Sequence, residues 1–545
     1  MTANAVPLRR ADWRFLLPAS AAGAFEHLVL LGGPPGLGAR LRDAGVARRV
    51  SDRLPGNDRA DAVAVLYDAR VAPVDAARGL APGGVFYCEI DRRRAGTVTQ
   101  TPARVRRVLD RAGLAVTGVY WAVPDFDHTR RYLPLESAEA LAWYFSTLQT
   151  TGSRLAFWAD AAVHAVVRGD WRRLERWVPC FGVTAFAGSR ADAVGHTVPS
   201  VLGRAEAPAA ARSPESNVAL LTSGQDDGSR VVLLPFTPGA VDPNAVIKAT
   251  RAPAFNGNTE REQQTLRELR SRLDPAMQAT IPEPHGTYRY GDLLVGIESC
   301  APGPALVVSS GRWRAPFATA REDLRAAAGW LGRFHEQARC ALGRWDAGLA
   351  DGVERRLDEY RERFAPAGAE AQLILLALDR SKALAAAPVP TVSLHNDFGP
   401  WNVHRAGTRV TVIDWEFGGD DRERAGPPLC DLLYFVTYWY QRVRHLRGHA
   451  GELRAIQELF LDRGGRQATA DAAREEIGAY MERLGLDLRF RALLLVYTWV
   501  DRALDRADRG QLAERDAKGA GVNPFRDYIQ LLATRAEQLF AAGER

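Results

Sequence analysis

Lysine is almost missing from this chain. Of its 71 basic residues only Lys248, Lys382 and Lys518 are lysine, and the other 68 are arginine. Other absences are equally informative. The five cysteines (Cys88, Cys180, Cys300, Cys340 and Cys430) stand far apart with no CxxC pair, which argues against a disulfide scaffold or a zinc cluster and fits a reducing cytoplasm. The longest apolar runs are short. "ALLLVYTWV" at 492–500 carries Thr498 inside it, and a membrane helix needs roughly 20 apolar residues, so membrane insertion is not expected. The opening "MTANAVPLRRADWRFLLPASAAG" has basic residues but no sustained apolar core, so no signal peptide is read there. A net charge of +6 raises the question of nucleic acid, yet 71 bases are interspersed with 65 acids along the whole length. The nearest approach to a basic–aromatic stripe, "RGDWRRLERW" (168–177), reads as an arginine-rich helix, and no nucleic-acid partner is expected.

A chain of 545 residues is too long for one core. Residues 1–187 alternate apolar runs ("HLVLLGG", "DAVAVLY", "GGVFYCEI", "AVTGVYWAV") with helical patterns such as "PARVRRVLDRAG", where Gly113 is placed to end the helix. That alternation predicts an α/β domain with a Rossmann-like parallel sheet. Within it, the aromatic- and Arg-rich segment 119–135 is open to two readings, a docking surface or packing beneath a long loop. Residues 188–214, rich in Ala, Gly, Ser and Pro, read as a linker. Three strand-like runs follow, "NVALLTSG", "SRVVLLPFTPG" and "AVIKATR", the first two joined by the hairpin-like "QDDG". Next come a charged helix, "TEREQQTLRELRSRL", and a strand, "GDLLVGIESC"; the rest is mostly helical. Residues 215–300 are thus expected to form a small β-rich lobe and 301–545 a helical lobe.

The chemistry concentrates in "SLHNDFGPWNVHRAGTRVTVIDWE", residues 393–416. Asp397 follows an apolar segment and precedes the turn "FGP". Asn402 opens a hairpin, and Asp414 ends its return strand. The open end of such a hairpin can bring Asn402 and Asp414 close, with Asp397 beside them. Two carboxylates and an amide oxygen are hard ligands that suit Mg²⁺. One carboxylate could hold metal while the other takes a proton from an attacking hydroxyl, which is what phosphoryl transfer requires. Two other readings stay open on the residues alone: a solvated polar hairpin, and an iron site spelled His395-x-Asp397 with His445 or His449.

"HNDFGPWN" followed by "VIDWE" resembles the paired motifs of the aminoglycoside phosphotransferase / choline kinase-like family, small-molecule relatives of the protein kinases, and the resemblance extends over roughly residues 195–545. It implies a bilobal α+β protein-kinase-like fold, ATP and Mg²⁺ as cofactors, and a small-molecule hydroxyl as acceptor, with a sugar or glycan precursor among the candidates. By the same resemblance Asp397 is the catalytic base, and Asn402 and Asp414 are the metal ligands. His395 braces the loop and Asp431 in "GPPLCDLLYF" is structural. "GWLGRFHEQ" resembles the family helix that ends in Phe-His or Leu-His. Lys248 corresponds to the strand lysine on the α/β-phosphates and Glu262 to its helix partner. Glu298 to Cys300 correspond to the adenine-facing hinge, and Gly224 and Gly228 lie in the phosphate-covering loop. That loop, "SGQDDGSR", departs from the pattern by carrying Asp226 and Asp227, which are unfavourable near a triphosphate unless they point away. His404 is expected on the hairpin surface. The alternative function is a nucleotide-binding pseudokinase scaffold without catalysis.

"HLVLLGGPPGLGARLRDAG" with "LAPGGVFYCEI" resembles class I S-adenosylmethionine methyltransferases. The first motif is eroded: Leu30 stands where an acid is usual, Pro34 where a glycine is usual, and Asp52 is a weak candidate for a ribose-binding acid. The resemblance implies a degenerate domain lacking a polar anchor for S-adenosylmethionine, with an active methyltransferase as the other reading.

Overall fold

The apolar runs of the first 300 residues become strands of one sheet. In the computed structural model, β1 (Phe25–Leu31), β2 (Ala47–Ser51), β3 (Ala60–Val65) and β4 (Leu80–Asp91) pair in parallel in the order β2-β1-β3-β4. The inner residues of β1 and β3 are buried in succession rather than alternately, as in strands covered on both faces. Antiparallel strands extend this sheet: β7 (Cys180–Phe186) pairs with β4, β5 (Ala115–Val123) with β7, and β6 (Arg131–Pro134) with β5. Helix α1 (Leu37–Asp43) follows the glycine turn after β1. Helix α2 (Pro102–Arg111) starts on Pro102, with Thr101 accepting from the Arg104 N–H, and ends at Gly113, whose φ of +82° closes the helix as expected. The described residues are 6–17, 24–54, 56, 58–94, 100–148, 171–189, 217–222, 224, 227–312, 315–417, 425–462, 467–508 and 523–541, so most of the stretch read as a linker lies outside them.

The sheet continues past the expected linker. β8 (Asn217–Leu221), β9 (Val231–Phe236), β10 (Val246–Ala249), β11 (Pro284–Tyr290) and β12 (Leu293–Glu298) complete a 12-stranded order, β11-β12-β10-β9-β8-β6-β5-β7-β4-β3-β1-β2. The join is the pairing of β6 with β8, Arg131 opposite Leu221 and Tyr132 opposite Leu220. The segment 119–135 is therefore packing: it supplies the end of β5 and all of β6, and Tyr132, Leu133 and Leu135 are buried. The chain forms two compact units. Of the described residues, one comprises those up to 264 together with 282–300; the other comprises 265–281 and those from 301 onward. Helix α3 (Asn256–Arg272) contributes its first turns to the former and its last to the latter.

The first unit buries charge as well as apolar surface. A 3-10 turn at Leu8–Leu16 is almost wholly buried, with Trp13 stacked on Tyr87 at 4.5 Å. Arg10 grips Glu89 through two bonds of 2.7 and 2.6 Å, and Arg251 grips Asp12 at 2.8 to 3.1 Å. These planar forks are the geometry arginine offers and lysine does not.

The second unit is helical, with fully buried Trp330, Trp415, Trp439 and Trp499 in its core. Helices α4 (Phe317–Gln337), α5 (Cys430–Val443), α6 (Ala468–Leu484) and α7 (Phe490–Asp508) surround two small sheets. One sheet contains β13 (Arg339–Arg344), β14 (Pro388–Ser393) and β17 (Ala425–Gly426); the other is the hairpin β15 (Val403–Ala406) and β16 (Arg409–Val412). The fold is therefore an α/β parallel-sheet region, an antiparallel β region and a helical region, in agreement with the expected fold class. Among the described residues no helix is long and apolar enough to cross a membrane.

Removing one partner of the Arg10–Glu89 pair strands a buried charge. Glu89→Ala is expected to lower the unfolding free energy by about 3–5 kcal/mol, read from urea unfolding curves; a change below 1 kcal/mol would show that the pair contributes little.

Candidate active site

The hairpin sets the site. Val403 lies opposite Val412, and the Ile413 N–H donates to the Asn402 carbonyl at 2.9 Å, so Asn402 and Asp414 flank the open end. Asp414 has φ +69°, a conformation that side-chain-bearing residues adopt rarely and that collects at functional sites.

The loop 395–402 between β14 and the hairpin is pinned from below. Asp431, in the first turn of α5, accepts the His395 N–H at 2.7 Å and the Asn396 N–H at 3.0 Å. These bonds hold Asn396 at φ +62°. His395 is fully buried against Trp415, with ring centroids 4.6 Å apart. Its Nδ1 accepts the Asp397 N–H at 3.2 Å, which leaves Nε2 to donate to the Ile413 carbonyl at 2.9 Å. Both ring nitrogens are thus used inside the loop and neither is left for iron. His449 is engaged with Asp527 and Glu452. His335, in the Phe-His at the end of α4, lies 3.9 Å from Asp431, and burial pulls its pKa down to about 4, so it is neutral. One expectation fails: His404 is buried, not at the surface. The isolated bridge between Ala305 and His404 draws in the 303–305 segment, whose Gly303 carbonyl bonds His404 Nδ1 at 2.9 Å.

Asp397 is half-buried, with its two carboxylate oxygens in different surroundings. Oδ2 accepts from Asn402 Nδ2 at 2.9 Å and from Trp401 Nε1 at 3.3 Å, while Oδ1 accepts from the Tyr434 hydroxyl at 3.2 Å. Burial raises its pKa above the ordinary aspartate value, with nearby Arg502 opposing the rise. A carboxylate so placed can accept a proton from an alcohol and orient it. Asn402 and Asp414 lie at the adjoining hairpin end, and an amide oxygen and a carboxylate are the donor types that could hold a Mg²⁺ ion there. Trp401, Tyr434 and Arg502 went unremarked in the sequence reading. Trp401 lies inside the motif and Tyr434 three residues after Asp431, but nothing local singles out Arg502.

The remaining predicted residues lie in the other unit. On β10, Lys248 Nζ reaches Glu262 Oε1 at 2.6 Å and Glu298 Oε1 at 2.9 Å, and Arg230 holds the other oxygen of Glu262. Glu298 was expected to act through its backbone; its carboxylate also joins this cluster. Burial raises the Glu298 pKa and Lys248 opposes the rise. Cys300 is partly buried, its thiol pushed up to about 12 by burial. Gly224 has φ +81° and packs on Ser229, whose Oγ lies 2.2 Å from where a Cβ would be, so a side chain there would clash. Gly228 lies against the Phe255 ring. Asp227 points away from the loop, accepting from the Leu8 N–H at 3.2 Å and pairing with Arg40; Asp226 lies outside the described residues. The structure therefore gathers Lys248, Glu262 and Glu298 in one unit and Asp397, Asn402 and Asp414 in the other.

The glycine turn after β1 is engaged by its own chain. The Gly33 N–H is taken by Asp68 Oδ1 at 2.7 Å, and Leu66 and Asp68 pack against Gly33 and Gly32 so closely that added Cβ atoms would lie 2.5 and 2.6 Å from them. Leu30 is buried, Asp52 is exposed, and Glu89 is occupied by Arg10, Tyr87 and the Tyr67 N–H.

Residues 239–471 match the model of the phosphotransferase enzyme family. A search of curated proteins returns no match. Among solved structures, the chain is similar to a macrolide 2'-phosphotransferase from Brachybacterium faecium (15% identity, 60% of this chain and 98% of that one, TM-score 0.35). It is also similar to a choline/ethanolamine kinase family protein from Mesorhizobium loti (15%, 64% and 98%, TM-score 0.33). A third is an aminoglycoside phosphotransferase from Streptomyces rimosus in complex with ADP and streptomycin (18%, 51% and 93%, TM-score 0.30).

The Trp401 N–H favours the charged form of Asp397. Trp401→Phe removes that donor, so the Asp397 pKa rises further and the acid limb of the pH–rate profile for phosphoryl transfer moves to higher pH. A shift to lower pH, or none, would contradict the role of this bond.

Proposed function

Since residues 239–471 match the model of the phosphotransferase enzyme family, we propose that the protein transfers the γ-phosphoryl group of ATP to a hydroxyl of a small molecule with the help of Mg²⁺. The observation that carries this reading is the loop 395–402. It presents a partly buried carboxylate, held by Asn402 and Trp401, beside the oxygen ligands at the hairpin's open end.

In this reading the acceptor hydroxyl donates its hydrogen bond to Asp397. Its oxygen forms the new bond to the γ-phosphorus as the bond to the bridging oxygen breaks. ADP leaves with the electron pair and the proton passes to Asp397. A bound Mg²⁺ would neutralise phosphate charge, with Asn402 and Asp414 as its protein ligands. Lys248, aimed by Glu262 and Glu298, is assigned to the α- and β-phosphates. A compact ammonium suits that task, and in this chain it is one of three lysines. Glu298 to Cys300 are assigned to the adenine, and Gly224 and Gly228 to the covering loop; with Asp227 turned to Leu8 and Arg40, one objection to that loop is removed. The first half is read as a methyltransferase-like domain that no longer binds S-adenosylmethionine. A cytoplasmic location is supported by five cysteines without a disulfide.

ATP·Mg binding by calorimetry and ATP turnover in wild type, Asp397→Asn and Asp414→Asn test the proposal. Wild type and Asp397→Asn should bind ATP·Mg, and Asp414→Asn should not. Turnover should fall by roughly 10²–10⁴-fold in Asp397→Asn. Binding without turnover across a broad panel of hydroxyl compounds would favour a nucleotide-binding scaffold, and no binding in wild type would refute both readings.

A further inference from the structure

A charged side chain beside Asp397 has no hydrogen-bond partner among the described residues. Arg502, on α7, is partly buried and lays its guanidinium over the Tyr434 ring, 4.4 Å from the ring centroid. Among the described residues it makes no hydrogen bond and no ion pair. The acids flanking it on α7, Asp501 and Asp505, are both turned onto Arg356 at 2.7 Å. The Arg502 guanidinium is partly open to solvent, so its donors are available to a ligand that offers paired acceptors.

The geometry around Asp397 shows which ligand. Oδ2 faces the hairpin end that carries Asn402 and Asp414, through the Asn402 and Trp401 donors. Oδ1 faces the other way and takes a hydroxyl, that of Tyr434. An alcohol giving its proton to Asp397 must approach in the same manner, so the Tyr434 hydroxyl marks the acceptor edge of the carboxylate. Arg502 stacks on the ring that carries this hydroxyl. Trp401 and Tyr438 meet Tyr434 edge-on, at 5.9 and 4.8 Å between centroids, and wall the same edge with aromatic surface.

Resting on the phosphotransferase reading, we propose that Arg502 anchors an anionic group, carboxylate or phosphate, on the acceptor whose hydroxyl is phosphorylated. A planar fork with unmatched donors fits both anions through paired hydrogen bonds. A cationic acceptor would meet like charge at a partly desolvated site, so the same residue selects against amines and quaternary ammonium compounds. The competing role is that Arg502 only keeps Asp397 ionised. That role would move the pH dependence of turnover and leave acceptor preference untouched.

Calorimetry on the full chain saturated with ADP·Mg separates these outcomes, with D-glycerate, glycerol 3-phosphate, glycerol and choline as probes. Wild type should bind at least one anionic probe roughly tenfold or more tighter than glycerol, with choline weakest; the two anionic arms tell carboxylate from phosphate. Arg502→Gln should reduce the anionic preference to about twofold or less and Arg502→Lys should retain part of it, while both variants still bind ADP·Mg, which reports an intact fold. No anionic preference in wild type, a preference that survives in Arg502→Gln, or a shift of the turnover pH profile in Arg502→Gln with preference unchanged would overturn the proposal alone. Failure of wild type to bind ADP·Mg would overturn the phosphotransferase reading and this proposal with it.

Discussion

One buried carboxylate holds the reactive loop. Asp431 takes the two backbone N–H groups of His395 and Asn396 from the first turn of α5. Those donors lie where the chain leaves β14 and turns through a left-handed residue, so without Asp431 they would be buried unpaired, a cost comparable to that of a lost hydrogen bond. The rest of the loop follows. With His395 fixed, its Nδ1 catches the Asp397 N–H and its Nε2 ties the loop to the Ile413 carbonyl just before Asp414. Asp397 and Asp414, which are far from adjacent in sequence, are thereby positioned by the same imidazole. His335 packs at Asp431 without competing for it, because burial keeps that ring neutral.

The charged interior divides its labour by cation type. Arginine forks close the carboxylates Glu89 and Asp12 bidentately, satisfying both oxygens of each. Glu262 is different: it is shared between an arginine and a lysine, one oxygen to each. Arg230 holds one oxygen of Glu262, and Lys248 is placed between the other and Glu298. A second arginine in its place would spend its fork on Glu262 and Glu298, whereas the ammonium is a compact charge. In a chain that defaults to arginine, a buried lysine flanked by two glutamates is a residue kept for its shape.

Much of this was legible from local pattern. The hairpin, with Asn402 and Asp414 at its open end, follows from spacing and residue type within a short window, and the pairing of Lys248 with Glu262 was implied by the family resemblance. What was not legible depends on pairing across distance. Nothing in "RYLP" or "NVALL" says that β6 and β8 meet, because an edge strand accepts any partner with free backbone groups, and that pairing joins the parallel region to the antiparallel one. His404 was expected on the hairpin surface, but it is buried and bonded to the Gly303 carbonyl, 101 residues away in sequence. The carboxylate of Glu298 was overlooked because its backbone already had a role. Arg502 is invisible in a sequence with 68 arginines; only its place over Tyr434 distinguishes it.

On the phosphotransferase reading, Asp431 serves the chemistry by placing Asp397. A double-mutant cycle on phosphoryl-transfer rate tests it most directly, using Asp431→Asn, Asp397→Asn and the pair, with ADP·Mg binding confirming that each variant is folded. Asp431→Asn should slow turnover substantially when Asp397 is present and have almost no further effect when Asp397 is already asparagine. Independent, multiplicative losses from the two substitutions would contradict it.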